Sequence, residues 1–380
     1  MKKNIFFISL LLIFCFTNIL YAKITVPDTI KVGILLDVTG VVIACDKTYN
    51  IKTKEKNLDL SAGKVDIQLQ NGKVKIKNKI YSLPLKITSP SFIIANKKIY
   101  RGNIIIRLSQ KGKLNIINEV YIEDYLKGIL PKEANSSWPI EALKTQAVIS
   151  RSYVLKNLKK HSKDGFDVCS TIHCQVYGGA SAETKICNEA VVQTEAEVVI
   201  YDNKIAQTLF HSSCGGHTED PKYVWNWTTK TPPYLKGLKD KYCKENPNQN
   251  WTSTIKEQTI REKLTKAGYK VGKIKNIKTK GKTPGLAKEY IIIESSKGNL
   301  KLNSYKFRIT IDPWLIKSTM INSIKKQKDS FVFKGNGWGH KVGLCQWGSK
   351  FMADKGFSYK QILQFYYPST NIEKVNYARQ

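Results

Sequence analysis

The sequence predicts an α+β protein, with a mixed, β-rich N-terminal region followed by an α+β region that forms a groove. Three observations carry this expectation. Up to about residue 115 short apolar runs alternate with polar residues and break at turn dipeptides. The middle of the chain switches to helical spacing, and strand-like and helical segments mix after residue 196.

The chain begins with Lys2 and Lys3, an apolar run from Ile5 to about Phe16, and Leu-Tyr-Ala ending at Ala22. That is the pattern of an export signal cleaved after Ala22, so residues 1–22 are read as signal peptide. The run is short for a bilayer span and no stop-transfer segment follows, so no stable transmembrane anchor is expected. Cys15 lacks the preceding small residue of a lipidation site. The second region, residues 23–115, places strands at 30–36, 65–69, 74–77, 92–94 and 104–108, with Asn71-Gly72 and Lys111-Gly112 as turns.

Residues 116–380 form the third region. Glu123 and Asp124 suit a first helical turn, Tyr125, Leu126 and Ile129 give that helix an apolar side, and Pro131 is expected to end it. A second helix starts near Pro139, with Ile140, Leu143, Ala147 and Val154 as its buried stripe. Gln146, Ser150 and Tyr153 share another face, the candidate wall of a groove that begins at Glu133. Residues 196–211 and 287–312 read as strands, and 273–285 as an exposed loop rich in Lys, Gly and Pro. Ser358 caps a helix running to about Tyr366, and Pro368 stops its continuation.

The formal net charge is +32, and it drops to +30 if Lys2 and Lys3 leave with the acid-free signal. Such a charge attracts anionic partners. Nearly all of it is Lys, in a chain also rich in Asn and Ile, so AT-rich coding bias is a competing cause. Nucleic acid is disfavoured as a partner by the export signal and by the lack of zinc-finger or RNP-type patterns. An anionic cell wall or membrane surface fits.

Glu133 is a candidate general acid, because Leu130, Pro131 and Trp138 can desolvate it and desolvation raises a carboxyl pKa. Seven cysteines remain after Cys15, an odd number. Cys169, His173 and Cys174 lie in CSTIHC, and His211 and Cys214 in HSSCGGH. These five are candidate zinc ligands, with disulfides as the alternative. Zinc with an open position activates water, whereas closed zinc staples loops. In GNGWGHKVG and the residues after it, Trp338, His340, Gln346 and Trp347 suit a sugar-binding wall. No Walker-type lysine and no G-x-S-x-G nucleophile are present.

Taken in order, VYIEDYLKGILPKEANSSWPIEALKTQAVISRSYVL, CSTIHCQVYGG, FHSSCGGHTEDPKYVW with PYLKGLKDKYC, and GNGWGHKVGLCQWGSKFMADKGFSYKQILQFYYP resemble the stage II sporulation protein D family, also called the amidase-enhancer or SpoIID/LytB family. The resemblance covers about Val120 to Pro368. It implies an exported protein of the periplasm or external cell wall, a lytic transglycosylase that cuts peptidoglycan glycan strands lacking stem peptides. The family's catalytic glutamate falls on Glu133, with no cofactor required and a structural zinc as a candidate. Gln146, Arg151, Tyr153, Trp338, His340 and Gln346 are the expected substrate-positioning residues. Two other readings stay open: the family's non-catalytic peptidoglycan-binding enhancer partnered with an N-acetylmuramoyl-L-alanine amidase, and, from the Cys/His clusters, a zinc-dependent wall hydrolase. Lys341 departs from the family's pattern, which has glycine after that His, and two consequences are open: a loop less able to approach substrate, or a cation that meets an anionic part of the polymer.

Overall fold

A computed structural model describes residues 24–225 and 227–378; the expected signal peptide lies outside them. The N-terminal region forms a six-stranded and a seven-stranded sheet. The expected alternation is present: Val65 and Ile67, Val74 and Ile76, and Ile104 and Ile106 are buried while their neighbours are not. These side chains from both sheets enter one shared core.

Two features of the seven-stranded sheet position the rest of the chain. The strand Leu114–Tyr121 pairs antiparallel with Thr29–Val38, runs across the expected boundary at 115/116, and feeds directly into helix α1 (Ile122–Glu133). On its other side Thr29–Val38 accepts the short parallel strand Val168–Cys169, with Cys169 opposite Gly33. The cysteine-bearing loop is thereby fastened to the β-rich region.

Pro131 does not end α1 but lies inside its last turn. Pro131 leaves the Lys127 carbonyl without its i+4 donor, yet the helix continues past it, and the Ala134 N–H closes the turn on the Leu130 carbonyl at 2.9 Å. Helix α2 (Ile140–Lys156) begins after Pro139 as expected. It is buried nearly all round because it serves two cores. Leu143, Ala147 and Val154 enter the first, and Val148 and Ile149 enter a second that contains Cys214, Cys345 and Tyr366.

Helices α3 (Lys185–Gln193) and α4 (Pro221–Trp225) follow. A third core spans residues 251–333 and includes helix α5 (Glu257–Lys266). Here two expectations fail. The segment read as a loop contains the strand Ile274–Lys282, paired antiparallel with Lys288–Ser295; Ile274 and Ile277 are buried while the outward lysines give the segment its loop-like composition. The strand expected over 287–312 gives way to helix α6 (Ser304–Ile311). Asn303 caps it, accepting from the Tyr305 and Lys306 N–H groups at 2.9 and 3.2 Å, so capping and packing override β-favouring Ile and Thr. The chain closes with α7 (Gln346–Asp354) and α8 (Tyr359–Tyr366), the latter opened by a capping box between Ser358 and Gln361. Among the described residues no helix is long and apolar enough to cross a membrane.

The expected role of Arg151 in substrate positioning does not fit its place. It is 0% exposed and is directed to α1, where its Nε and Nη2 donate to both Glu123 oxygens at 2.8 and 2.7 Å. Its Nη1 donates to the Glu197 carbonyl at 3.0 Å. A bidentate buried pair is costly to break from one side, because the surviving charge stays desolvated. Arg151→Ala is therefore expected to lower the unfolding free energy by about 3 kcal/mol in urea titrations; a loss below about 1 kcal/mol, typical of exposed pairs, would contradict this placement.

Candidate active-site cleft

The last residue of α1, Glu133, points into a cleft of about 440 Å³. Burial raises its carboxyl pKa, opposed only by the Val176 N–H, which donates to Oε1 at 2.8 Å. Its position at a helix C-terminus acts in the same direction as burial, since the unpaired carbonyls there disfavour negative charge. Among the described residues lining the cleft it is the single carboxylate.

The segment around Glu133 is held from the far end of the sequence. The Gln346 Nε2 donates to the Glu133 backbone carbonyl at 2.9 Å and to the Gln146 Oε1 at 3.1 Å. Gln146 in turn donates to the Ser150 hydroxyl at 3.1 Å. Trp138 packs on Trp347 with ring centroids 5.1 Å apart. Gln146 is thus spent on this relay, while Tyr153 and Gln346 line the cleft beside Glu133.

The opposite wall comes from two paired segments. Phe210–His211 runs parallel to Leu344–Cys345, and Ser213 and Trp338 exchange backbone hydrogen bonds at 3.0 and 2.8 Å. Gly339 has φ +119, and a Cβ there would meet the His211 Cβ at 2.7 Å, so close approach requires glycine. This brings His340 to 5.6 Å from His211 and 5.1 Å from Trp225, ring to ring. The His340 pKa is lowered to about 4, by burial first and then by Arg308; His211 is pushed well down for the same first reason. Both are neutral imidazoles at neutral pH. His211 has Nδ1 3.1 Å from the Val342 carbonyl, so Nδ1 carries the proton and Nε2 keeps a buried lone pair without a partner among the described residues. The cleft's cation is Arg308, which donates to the Lys317 and Pro313 carbonyls at 3.1 and 3.3 Å and makes no ion pair among the described residues. Trp338 lines the cleft and packs on Trp314, which is 64% exposed.

Lys341 does not face the cleft. It is 0% exposed, and its Nζ donates to the Gly285 carbonyl at 2.7 Å. Its φ of +69 is a conformation that glycine adopts without strain, so the substitution turns a permissive position into a buried internal tie.

The five candidate metal ligands divide. Cys169, His173 and Cys174 gather with His161, their four ligand atoms within 4.8 Å of one another. The sulfur-to-nitrogen distances are 3.5 Å for Cys174 to His161 Nε2 and 3.6 Å for both cysteines to His173 Nδ1. Asp164 lies 3.8 Å from the other nitrogen of His161, beyond hydrogen-bond distance. Two sulfurs and two nitrogens at this size fit a tetrahedral ion. His211 lines the cleft apart from that group, as His173 and Cys174 within it also do, and Cys214 joins Asp240, Cys243 and Cys345. Spacing did not reveal His161 or Asp240, because each approaches its group only through the fold; Arg308 and Trp225 likewise carried no local pattern.

A family model described as stage II sporulation protein, SpoIID, matches residues 110–201. The chain is 34% identical over 284 residues to an uncharacterized protein of Brachyspira hyodysenteriae, covering 73% of each. It is 30% identical over 366 residues to an amidase enhancer of Bacillus subtilis, a match that spans 82% of this chain and half of that protein. It is 29% identical over 285 residues to stage II sporulation protein D of Bacillus subtilis, covering 68% of this chain and 76% of the relative.

The raised pKa of Glu133 has a stability consequence. Its ionised form is worse solvated folded than unfolded, so a penalty is absent below the ordinary carboxyl value of 4.5, grows as pH rises through the folded pKa, and is complete above it. Glu133→Gln keeps an acceptor for Val176 and cannot ionise. Its melting temperature should exceed that of the parent chain at neutral pH, with the gap closing as pH falls toward 4; a variant less stable than its parent at pH 7 would contradict this.

Proposed function

The chain belongs to the SpoIID family, and from that premise we propose that it is a lytic transglycosylase that cleaves peptidoglycan glycan strands lacking stem peptides, with Glu133 as its one general acid and base. The observation that carries this reading is a single desolvated carboxylate in a cleft walled by aromatic and amide groups. A hydrolase of the usual kind needs a second carboxylate for water or for a covalent intermediate. Transglycosylation does not. Protonated Glu133 gives its proton to the glycosidic oxygen as the C1–O bond breaks, and the resulting carboxylate takes the proton of the sugar's own 6-hydroxyl as that oxygen bonds to C1. The products are a free hydroxyl on one fragment and a 1,6-anhydro end on the other. The N-acetyl group of the muramic sugar can stabilise positive charge at C1 between the two events.

Trp225 and Trp338 offer faces to sugar rings, and Tyr153, His340 and Gln346 offer polar groups beside them. Arg308 supports the stripped glycan as substrate. Removing the stem peptide uncovers a carboxylate on each muramic sugar, and an unpaired guanidinium in the cleft matches it.

The family resemblance implies zinc or disulfides near the groove, and if zinc is bound, His161, Cys169, His173 and Cys174 would hold it. Four protein ligands close the coordination, so the ion would supply structural anchorage and not activated water. Fixing Cys174 fixes Val176 two residues on, whose N–H meets Glu133. Closed coordination weighs against the zinc-dependent hydrolase.

A second reading is supported by the amidase-enhancer relative: a glycan-binding protein that stimulates an N-acetylmuramoyl-L-alanine amidase without cutting. Both readings place the protein outside the cytoplasm, at the cell wall, where its positive charge would favour anionic wall polymers.

Purified chain incubated with denuded glycan is expected to yield fragments with 1,6-anhydromuramic ends, identified by mass, and Glu133→Gln to lower that rate at least about 100-fold, the usual scale of a lost general acid or base. Wild type that leaves glycan intact while still stimulating an amidase would establish the enhancer reading instead. Products heavier by one water would eliminate the transglycosylase.

A further inference from the structure

Behind the cleft wall, in the second core, lies a buried group that the cleavage chemistry does not use. Cys214, Asp240, Cys243 and Cys345 are each no more than 1% exposed. Their four ligand atoms lie within 4.8 Å of one another. The Cys243 and Cys345 sulfurs are 3.3 Å apart, and the Cys214 sulfur is 3.2 Å from the Asp240 Oδ2. A tetrahedron with metal–sulfur bonds of about 2.3 Å has edges of about 3.8 Å, so a bound ion would need these two contacts to open by only about half an ångström.

Each of the three sulfurs also accepts a hydrogen bond from a backbone or amide N–H. The Cys214 and Gly348 N–H groups both donate to the Cys345 sulfur at 3.3 Å. The Gly216 N–H donates to Cys214 at 3.3 Å, and the Asn246 Nδ2 to Cys243 at 3.4 Å. Cys345 also caps α7. Asp240 is oriented by the Tyr242 and Cys243 N–H groups on Oδ1, at 2.9 and 3.2 Å, and by the Tyr366 hydroxyl on Oδ2, at 2.8 Å. It makes no ion pair among the described residues. A buried carboxylate without a cation is expensive. At Gly348 a Cβ would come within 2.5 Å of the Asp240 Oδ2 and closer still to the Tyr366 hydroxyl, so glycine makes the room.

We propose that Cys214, Asp240, Cys243 and Cys345 form a closed tetrahedral site for a thiolate-binding divalent ion of the zinc class, separate from the His161 group. A Cys243–Cys345 disulfide would need the sulfurs to close to about 2.05 Å and would leave Cys214 and Asp240 without an electrophile. An ion uses all four groups. Three thiolates, one carboxylate and a dication leave excess negative charge, which the four N–H donors and buried Lys341 offset. The ion would clamp three segments: the one bearing His211 and Ser213, the stretch 240–243, and the start of α7, where Gln346 follows Cys345 and holds the Glu133 carbonyl.

The test uses cobalt(II) as the probe, titrated under reducing, oxygen-free conditions into the full chain carrying Cys169→Ser and His173→Ala, which disables the outer group. One cobalt per chain is expected, with sulfur-to-cobalt charge-transfer absorption and the strong visible bands of four-coordinate cobalt. Adding Cys243→Ser should weaken that charge transfer and displace the ion. Should that variant fail to fold, Asp240→Asn keeps all three thiols and is expected to lower cobalt affinity at least about tenfold. A folded chain that takes up no thiolate-bound cobalt overturns the proposal, as does a Cys243–Cys345 disulfide found by peptide mapping in the native protein. Neither outcome depends on whether the cleft cleaves glycan.

Discussion

The carboxylate of Glu133 loses most of its water and receives one backbone N–H in return, at the negative end of a helix. Much of the molecule bears on maintaining that imbalance. α1 carries past Pro131 in its last turn to end at Glu133. α2 covers it from behind as a helix buried on nearly all sides, which requires Arg151 to be neutralised by Glu123 inside the protein. A solvated glutamate at the same sequence position would be a weak acid already spent at neutral pH.

Holding the carboxylate requires contacts between distant parts of the chain. Val176 comes from a loop whose start, Val168–Cys169, is a strand of the N-terminal sheet, so the β-rich region contributes directly to the cleft. Gln346 reaches back over 213 residues to the Glu133 carbonyl, and the pairing of Phe210–His211 with Leu344–Cys345 fixes the wall from which it reaches. Both supporting segments carry cysteines immediately beside the residues that face the cleft. Metal or thiol chemistry at the Cys214 group would act through backbone position, whereas His173 and Cys174 of the other group themselves line the cleft.

The N-terminal strands were legible because their burial repeats every second residue, and α8 because Ser358 and Gln361 form a local capping box. Glu133 was legible because its apolar neighbours are adjacent in sequence. What escaped was decided by tertiary context. The strand Ile274–Lys282 hides behind outward lysines, and α6 is made of residues that favour strands but is capped by Asn303. Arg151 shares a helix with Gln146 and Tyr153, yet it stands about 140° around the axis from Gln146, which sends it to α1 and not to the cleft. Lys341 looked like a surface cation but is buried, and His161 and Asp240 complete groups whose other members lie elsewhere along the chain.

The proton on Glu133 itself is the most direct thing to measure. Carbon-13 NMR of the side-chain carboxyls, with the Glu133 resonance identified by its absence in Glu133→Gln, gives its titration midpoint without substrate. A midpoint clearly above the ordinary 4.5 is predicted, set by desolvation. A midpoint at or below 4.5 would mean that the cleft solvates the carboxylate, and Glu133 would then lack the property on which a one-residue acid and base depends.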